Sequence, residues 1–131
     1  MVRKIETGNA PKAIGPYSQG IEVSAGLALL FVSGQLPIDP QTGKLVEGDI
    51  QAMTRQVIAN IEAILKAGGS SLLSVVRTDI FLTDLKRDFS GMNAEYALHF
   101  TGIHLPARQT VQVAALPMGS PIEISCIAAR G

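Results

Sequence analysis

Arg108 and Glu123 each stand at the start of an alternating run inside the apolar, strand-like stretch LPARQTVQVAALPMGSPIEISCIAARG, Leu105 to Gly131. In the first run, alternation sends Arg108, Thr110, Gln112 and Ala114 to one face and Gln109, Val111, Val113 and Ala115 to the other. A guanidinium on a rigid strand offers a planar fork to a carboxylate and stays charged at any physiological pH. The same position also suits a surface or interface salt bridge. In the second run Ile122, Ile124, Cys126 and Ala128 share one face, and Glu123, Ser125, Ile127 and Ala129 share the other. Glu123, flanked by two isoleucines, can activate a water in a dry site or stand as an edge charge.

Other chemistry-bearing residues give weaker signals. Cys126 points with the isoleucines and reads as a packed, unreactive thiol, because nothing near it in sequence lowers its pKa. His99 and His104 lie on either side of the helix-ending Gly102 and do not share a helical face, so they do not resemble a metal pair. No serine sits in a G-x-S-x-G elbow, and Gly68-Gly69-Ser70-Ser71 lacks the lysine of a phosphate loop. Tyr17, the aromatic in the loop TGNAPKAIGPYSQG, is either a ligand-facing lid residue or a packing aromatic.

The elements that must position these groups follow from periodicity. Thr7 to Gly20 is rich in Gly, Pro, Asn and Ser and reads as a defined loop. Ile21–Ser24 and Leu27–Ser33 read as strands joined at Ala25-Gly26, which predicts a hairpin. The segment LPIDPQTGKLVEG, with two prolines and a Thr-Gly turn, is expected to hold no regular element. Asp49 can cap a helix whose stripe is Ile50, Met53, Val57, Ile61, Ile64 and Leu65, ended by Gly68-Gly69. Leu72–Leu82 alternates as a strand, and a second helix from Asp88 carries Phe89, Met92, Tyr96 and Phe100 before Gly102 stops it. Strands over about Arg108–Ala115 and Ile122–Ala129 complete an α+β layout with two helices on one face of a sheet. Val76, Ile80, Val111, Val113, Ile122 and Ile124 predict apolar burial beyond what the helices supply, hence contact between sheets of different subunits.

Bulk properties narrow the classes. A chain of 131 residues that is 47% hydrophobic fits a single domain over 1–131. Only 17% of its residues are charged, which points to surface covered by further copies of the chain. Lys plus Arg and Asp plus Glu both number 11, so no net field draws the chain to nucleic acid or an anionic membrane. The longest apolar run, Leu27 to Val32, is far short of the ~20 residues of a membrane helix. MVRKIETGNAPK has no apolar segment after its charges, so no secretory signal is expected, and a single cysteine fits a reducing cytoplasm.

Several of these pieces recur, in this order, in one family: GPYSQG, FVSGQLP, the Asn93-x-x-Tyr96 of the second helix, and Pro106-Ala107-Arg108 followed by VQVAALP and Ile122-Glu123-Ile124. Over essentially its whole length the chain resembles the reactive-intermediate deaminases, the Rid or YjgF family. The resemblance implies a chorismate-mutase-like α+β fold, a mixed sheet covered by two helices, in a homotrimer whose sheets form an inner barrel with three clefts between subunits. It implies hydrolysis of 2-imino acids such as 2-iminobutanoate and 2-iminopropanoate to 2-keto acids and ammonia, with no metal and no cofactor. By position, Arg108 would grip the substrate carboxylate, while Glu123 and the backbone carbonyl of Thr110 would position the attacking water. Tyr17, Ser33, Gly34 and Asn93 would line the cleft. The family usually has a small residue where Gln109 stands, and alternation turns Gln109 away from Arg108.

A simple hairpin about Gly119 would set Glu123 opposite Ala115, ~23 Å along the strand from Arg108. The resemblance instead implies that the last strand lies between earlier ones and that one cleft takes Arg108 and Glu123 from different subunits. From a different class comes a non-catalytic trimer that binds small keto or amino acids as a sensor or partner protein. A ribonuclease reading is disfavoured by the balanced charge.

Overall fold

The structure, a computed structural model, describes residues 2–130. In chain order it holds β1 (Val2–Ile5), β2 (Gly20–Val23), β3 (Ala28–Gln35), β4 (Ile38–Asp39), β5 (Lys44–Leu45), α1 (Ile50–Ala67), β6 (Val75–Leu82), α2 (Leu85–His99), β7 (Ala107–Gln112) and β8 (Ile122–Arg130). Short 3-10 turns occupy Leu72–Ser74 and Pro117–Gly119. The main sheet has the order β3-β8-β6-β7, with β8 antiparallel to both neighbours and β6 parallel to β7. This is a mixed α+β fold in which α1 and α2 cover one face of a mixed sheet. The last strand is inserted between earlier ones, as the resemblance implied.

Helix α1 begins where Asp49 accepts a hydrogen bond from the Ala52 N–H at 2.9 Å, which satisfies one of the free donors of the first turn. It ends at Gly68, followed by Gly69 at φ +78, a conformation that favours glycine. Val57, Ile61 and Leu65 are buried as their spacing predicted, and Ile58 joins them. Thr54 also enters the core, because its hydroxyl donates back to the Ile50 carbonyl at 2.7 Å and leaves no unsatisfied group. Ile64, at 40% exposure, stands outside the core. Helix α2 starts earlier than Asp88, since Asp84 caps it by accepting from the Arg87 N–H at 3.1 Å. Met92 and Tyr96 are buried against the sheet, Phe100 stacks on Tyr96 at 4.2 Å, and Phe89 lies at the helix edge.

The structure departs from three local expectations. The turn at Ala25-Gly26 exists, with Gly26 at φ +91, but the strands it joins enter different sheets. Strand β2 pairs with β1, setting Glu22 opposite Arg3, while β3 pairs with the longer, apolar β8 and buries Val32. Turn chemistry alone cannot weigh that distant partner. The Pro-rich segment after Gln35 does hold a small ladder, β4 with β5, closed by the Gly43 N–H donating to the Asp39 carbonyl at 2.8 Å with Gly43 at φ +72. The strand expected from Leu72 begins at Val75, because a 3-10 turn takes the residues before it.

Alternation along β6, β7 and β8 sorts residues to the two faces of the sheet. Thr78, Ile80, Leu82, Ile122, Ile124, Cys126 and Ala128 lie under the helices. Ile80, Ile122 and Ile124 are therefore core residues and do not belong to the uncovered face. That face instead carries Phe31 (74% exposed), Leu29 (46% exposed), Phe81, Val111 and Ile127, with Arg77 and Asp79 among them. No described helix is long and apolar enough to cross a membrane.

Candidate active site

Arg108 lies on β7 opposite Thr78, at the edge of the helix-covered face. Its Nη1 donates to the Asn93 Oδ1 of α2 at 2.6 Å. Its guanidinium carbon lies 5.1 Å from the centre of the Tyr96 ring, 5.5 Å from that of Tyr17 and 5.9 Å from that of Phe89, within cation–π range of all three. Burial pulls the Arg108 pKa down from its ordinary value, and the Tyr96 and Tyr17 oxygens act in the other direction. An arginine remains charged under such a shift. Among the described residues no carboxylate pairs with it. The salt-bridge reading of Arg108 is therefore not met within the chain, and its charge faces the cleft unneutralised.

Each of these neighbours is itself fixed. The Tyr96 hydroxyl lies 2.9 Å from Thr78 Oγ1, and burial pushes the Tyr96 pKa up to about 12, so the ring is a neutral floor under the cation. Tyr17 is delivered by the loop before β2. Ser18, the next residue, donates its N–H to the Pro106 carbonyl at 3.1 Å and its hydroxyl to the Leu105 carbonyl, which ties the loop to the strand that carries Arg108. A side chain on Gly15 would come within 3.3 Å of the Tyr17 ring, so its absence lets Tyr17 lie close to the loop. Ile14, Gly15, Tyr17, Phe89, Asn93, Arg108 and Thr110 together line a cleft of about 270 Å³. Two larger clefts of about 400 Å³ adjoin Tyr17, on the sides of Lys12 and Ile103, and contain neither Arg108 nor Asn93.

Glu123, Ser33 and Gly34 form a separate group. Between Val32 and Gln35 strand β3 carries one residue more than its β8 partner, a bulge at Ser33-Gly34 opposite Ser125. The Glu123 carboxylate lies over that bulge. A methyl group on Gly34 would meet the Glu123 Cδ at 2.6 Å, so a glycine is needed for the approach. Glu123 pairs with Phe81 of β6, whereas Arg108 pairs with Thr78 of the same strand. Those partners are an odd number of residues apart, so the two side chains leave opposite faces of the sheet, ~10 Å apart along β6 and two strands apart across it. One chain thus brings Tyr17, Asn93, Arg108 and Thr110 into a single cleft and keeps Ser33, Gly34 and Glu123 out of it.

The remaining candidates fall outside this arrangement. Gln109 pairs with Asp79 and is exposed on the other face from Arg108. Burial pushes the Cys126 thiol up to about 12, which keeps it protonated and inert. His99 lies 2.7 Å from Glu95, which also accepts from Arg55. No group of three or more His, Cys, Asp or Glu among the described residues could hold a metal. Sequence reasoning assigned Phe89 and Tyr96 to the core stripe of α2 and gave Ile14 no role. The available signal was Asn93, a polar residue that shares a helix edge with Phe89 and Tyr96.

Residues 7–130 match the family described as Endoribonuclease L-PSP. Protein DfrA of Myxococcus xanthus is 52% identical over 98% of this chain and 96% of its own length. The 2-iminobutanoate/2-iminopropanoate deaminase of Mus musculus is 44% identical over 100% of this chain and 94% of its own length. The crystal structure of E. coli TdcF with bound serine is 41% identical and superposes with a TM-score of 0.74 over 98% of this chain and 99% of that one. The chain belongs to this family, that of the YjgF and reactive-intermediate deaminase proteins.

Proposed function

We propose that the protein is a cytoplasmic hydrolase of small 2-imino acids, converting 2-iminobutanoate and 2-iminopropanoate to 2-keto acids and ammonia. The observation that carries this reading is a half-buried, unneutralised guanidinium, held by Asn93 and three aromatic rings at the wall of a small cleft. Such a group suits the carboxylate of the substrate. The imine carbon is already electrophilic. The protein has only to hold it, deliver water and move protons: water adds to C2, the nitrogen gains protons, and the C–N bond breaks to release ammonia and leave the ketone. Glu123 and the Thr110 carbonyl position that water, and Tyr17, Ser33, Gly34 and Asn93 complete the cleft. No metal or cofactor takes part.

The opposite faces taken by Arg108 and Glu123 support a site shared between copies of the chain, and the apolar face bearing Leu29 and Phe31 supplies surface for a homotrimer. The name of the mouse relative, with its 44% identity over the full chain, supports the reaction. Its test is keto-acid release in the presence of a threonine dehydratase, comparing the wild type with Arg108→Ala. Unchanged acceleration by the variant would remove the carboxylate role.

A second reading, a trimer that binds small keto or amino acids without turning them over, draws on the serine bound by E. coli TdcF. Tight binding of 2-ketobutyrate with no acceleration of imine hydrolysis would favour it.

A further inference from the structure

The Thr110 hydroxyl is buried and has no hydrogen-bond partner. Other core hydroxyls are satisfied: Thr54 donates to the Ile50 carbonyl, Thr78 meets the Tyr96 hydroxyl, Ser18 donates to the Leu105 carbonyl, and Ser120 donates to the Ile122 carbonyl. A buried hydroxyl left without a partner is costly, so its persistence calls for a partner outside the chain. Thr110 lines the same cleft as Arg108, and the two lie on one strand with a single residue between them. Their side chains therefore leave the same face with Cα atoms ~7 Å apart.

We propose that the Thr110 hydroxyl binds the heteroatom on C2 of a ligand whose carboxylate is held by Arg108. The inference rests on the reading of Arg108 as the carboxylate anchor. In a 2-imino or 2-keto acid, C2 is bonded directly to the carboxylate carbon. With the carboxylate on the guanidinium, the C2 heteroatom lies in the same cleft, where Thr110, on the same strand face as Arg108, has the unpartnered hydroxyl. A hydroxyl suits both ends of the reaction, since it accepts from the N–H of an iminium and donates to the oxygen of a ketone. Of the other polar side chains in the cleft, Asn93 Oδ1 already accepts from Arg108 and the Tyr17 hydroxyl accepts from the Ile14 N–H, which leaves the Thr110 hydroxyl as the one without a partner. Thr110 then distinguishes 2-imino and 2-keto acids from plain carboxylic acids, a selectivity that Arg108 alone cannot provide.

The test measures the affinities of 2-ketobutyrate and butyrate for the wild type, Thr110→Val, Thr110→Ser and Arg108→Ala by titration calorimetry. The wild type is expected to prefer 2-ketobutyrate by about tenfold, the worth of one buried hydrogen bond. Thr110→Val, which keeps the shape of the side chain, should lose that preference by weakening 2-ketobutyrate alone, and Thr110→Ser should restore it. Thr110→Val should also melt no lower than the wild type, because it removes an unsatisfied group. An unchanged preference in a folded Thr110→Val protein, with Arg108→Ala weakened for both acids, would overturn this proposal and leave the anchor standing. Equal binding of butyrate to Arg108→Ala and wild type would overturn the anchor, and this proposal with it.

Discussion

Arg77 and Arg108 sit on adjacent strands of one sheet and have opposite fates. Arg77 reaches along β6 to Asp79 with two hydrogen bonds, at 3.2 and 2.9 Å, which raises its pKa on a half-exposed face. Arg108 meets a neutral amide and three aromatic rings, and burial lowers its pKa. The first charge is neutralised by its own chain. The second is held in a defined orientation by neutral groups, with no carboxylate of the described residues paired to it.

This contrast orders the expected effects. Arg108→Ala should lower kcat/KM for 2-iminobutanoate by about thirtyfold or more, since truncating one partner of a desolvated charge pair typically costs ~2–5 kcal/mol. Glu123→Gln should lose most turnover while still binding 2-ketobutyrate. Co-expression of that variant with Arg108→Ala should recover part of the activity if two copies share each cleft; no recovery would argue for a site within one chain. Gly34→Ala should reduce turnover by about tenfold to a hundredfold, because the added methyl displaces Glu123 and misplaced groups of this kind are costly. Asn93→Ala should raise KM by about five- to tenfold, as expected for loss of one hydrogen bond that orients the guanidinium. Arg77→Ala should change stability by no more than about 1 kcal/mol and turnover by less than twofold, measured by urea unfolding and the coupled assay. A large effect there would erase the distinction between the two arginines.

The helices were legible because their signals are local. Asp49 and Gly68 mark the ends of α1, and Met92 and Tyr96 repeat at helical spacing. The alternation that placed Ile122, Ile124 and Cys126 on one face and Glu123 on the other is equally local, and the burial follows it. The hairpin expected at Ala25-Gly26 failed because its first strand found β1 and its second found β8. Ile80, Ile122 and Ile124, expected at a contact between subunits, lie under the helices instead for a related reason: the faces of separate strands cannot be matched until their registers are known.

The sequence by itself determined the residue types, the α+β layout and the family, because composition, periodicity and the order of motifs all lie along the chain. Only the tertiary structure decided which residues meet. The pairing of β6 with both β7 and β8 set Arg108 and Glu123 on opposite faces. The packing of α2 on that sheet brought Asn93, Phe89 and Tyr96 around one guanidinium and left Thr110 without a partner. Register and helix packing join residues far apart in the chain, and no local pattern contains that information.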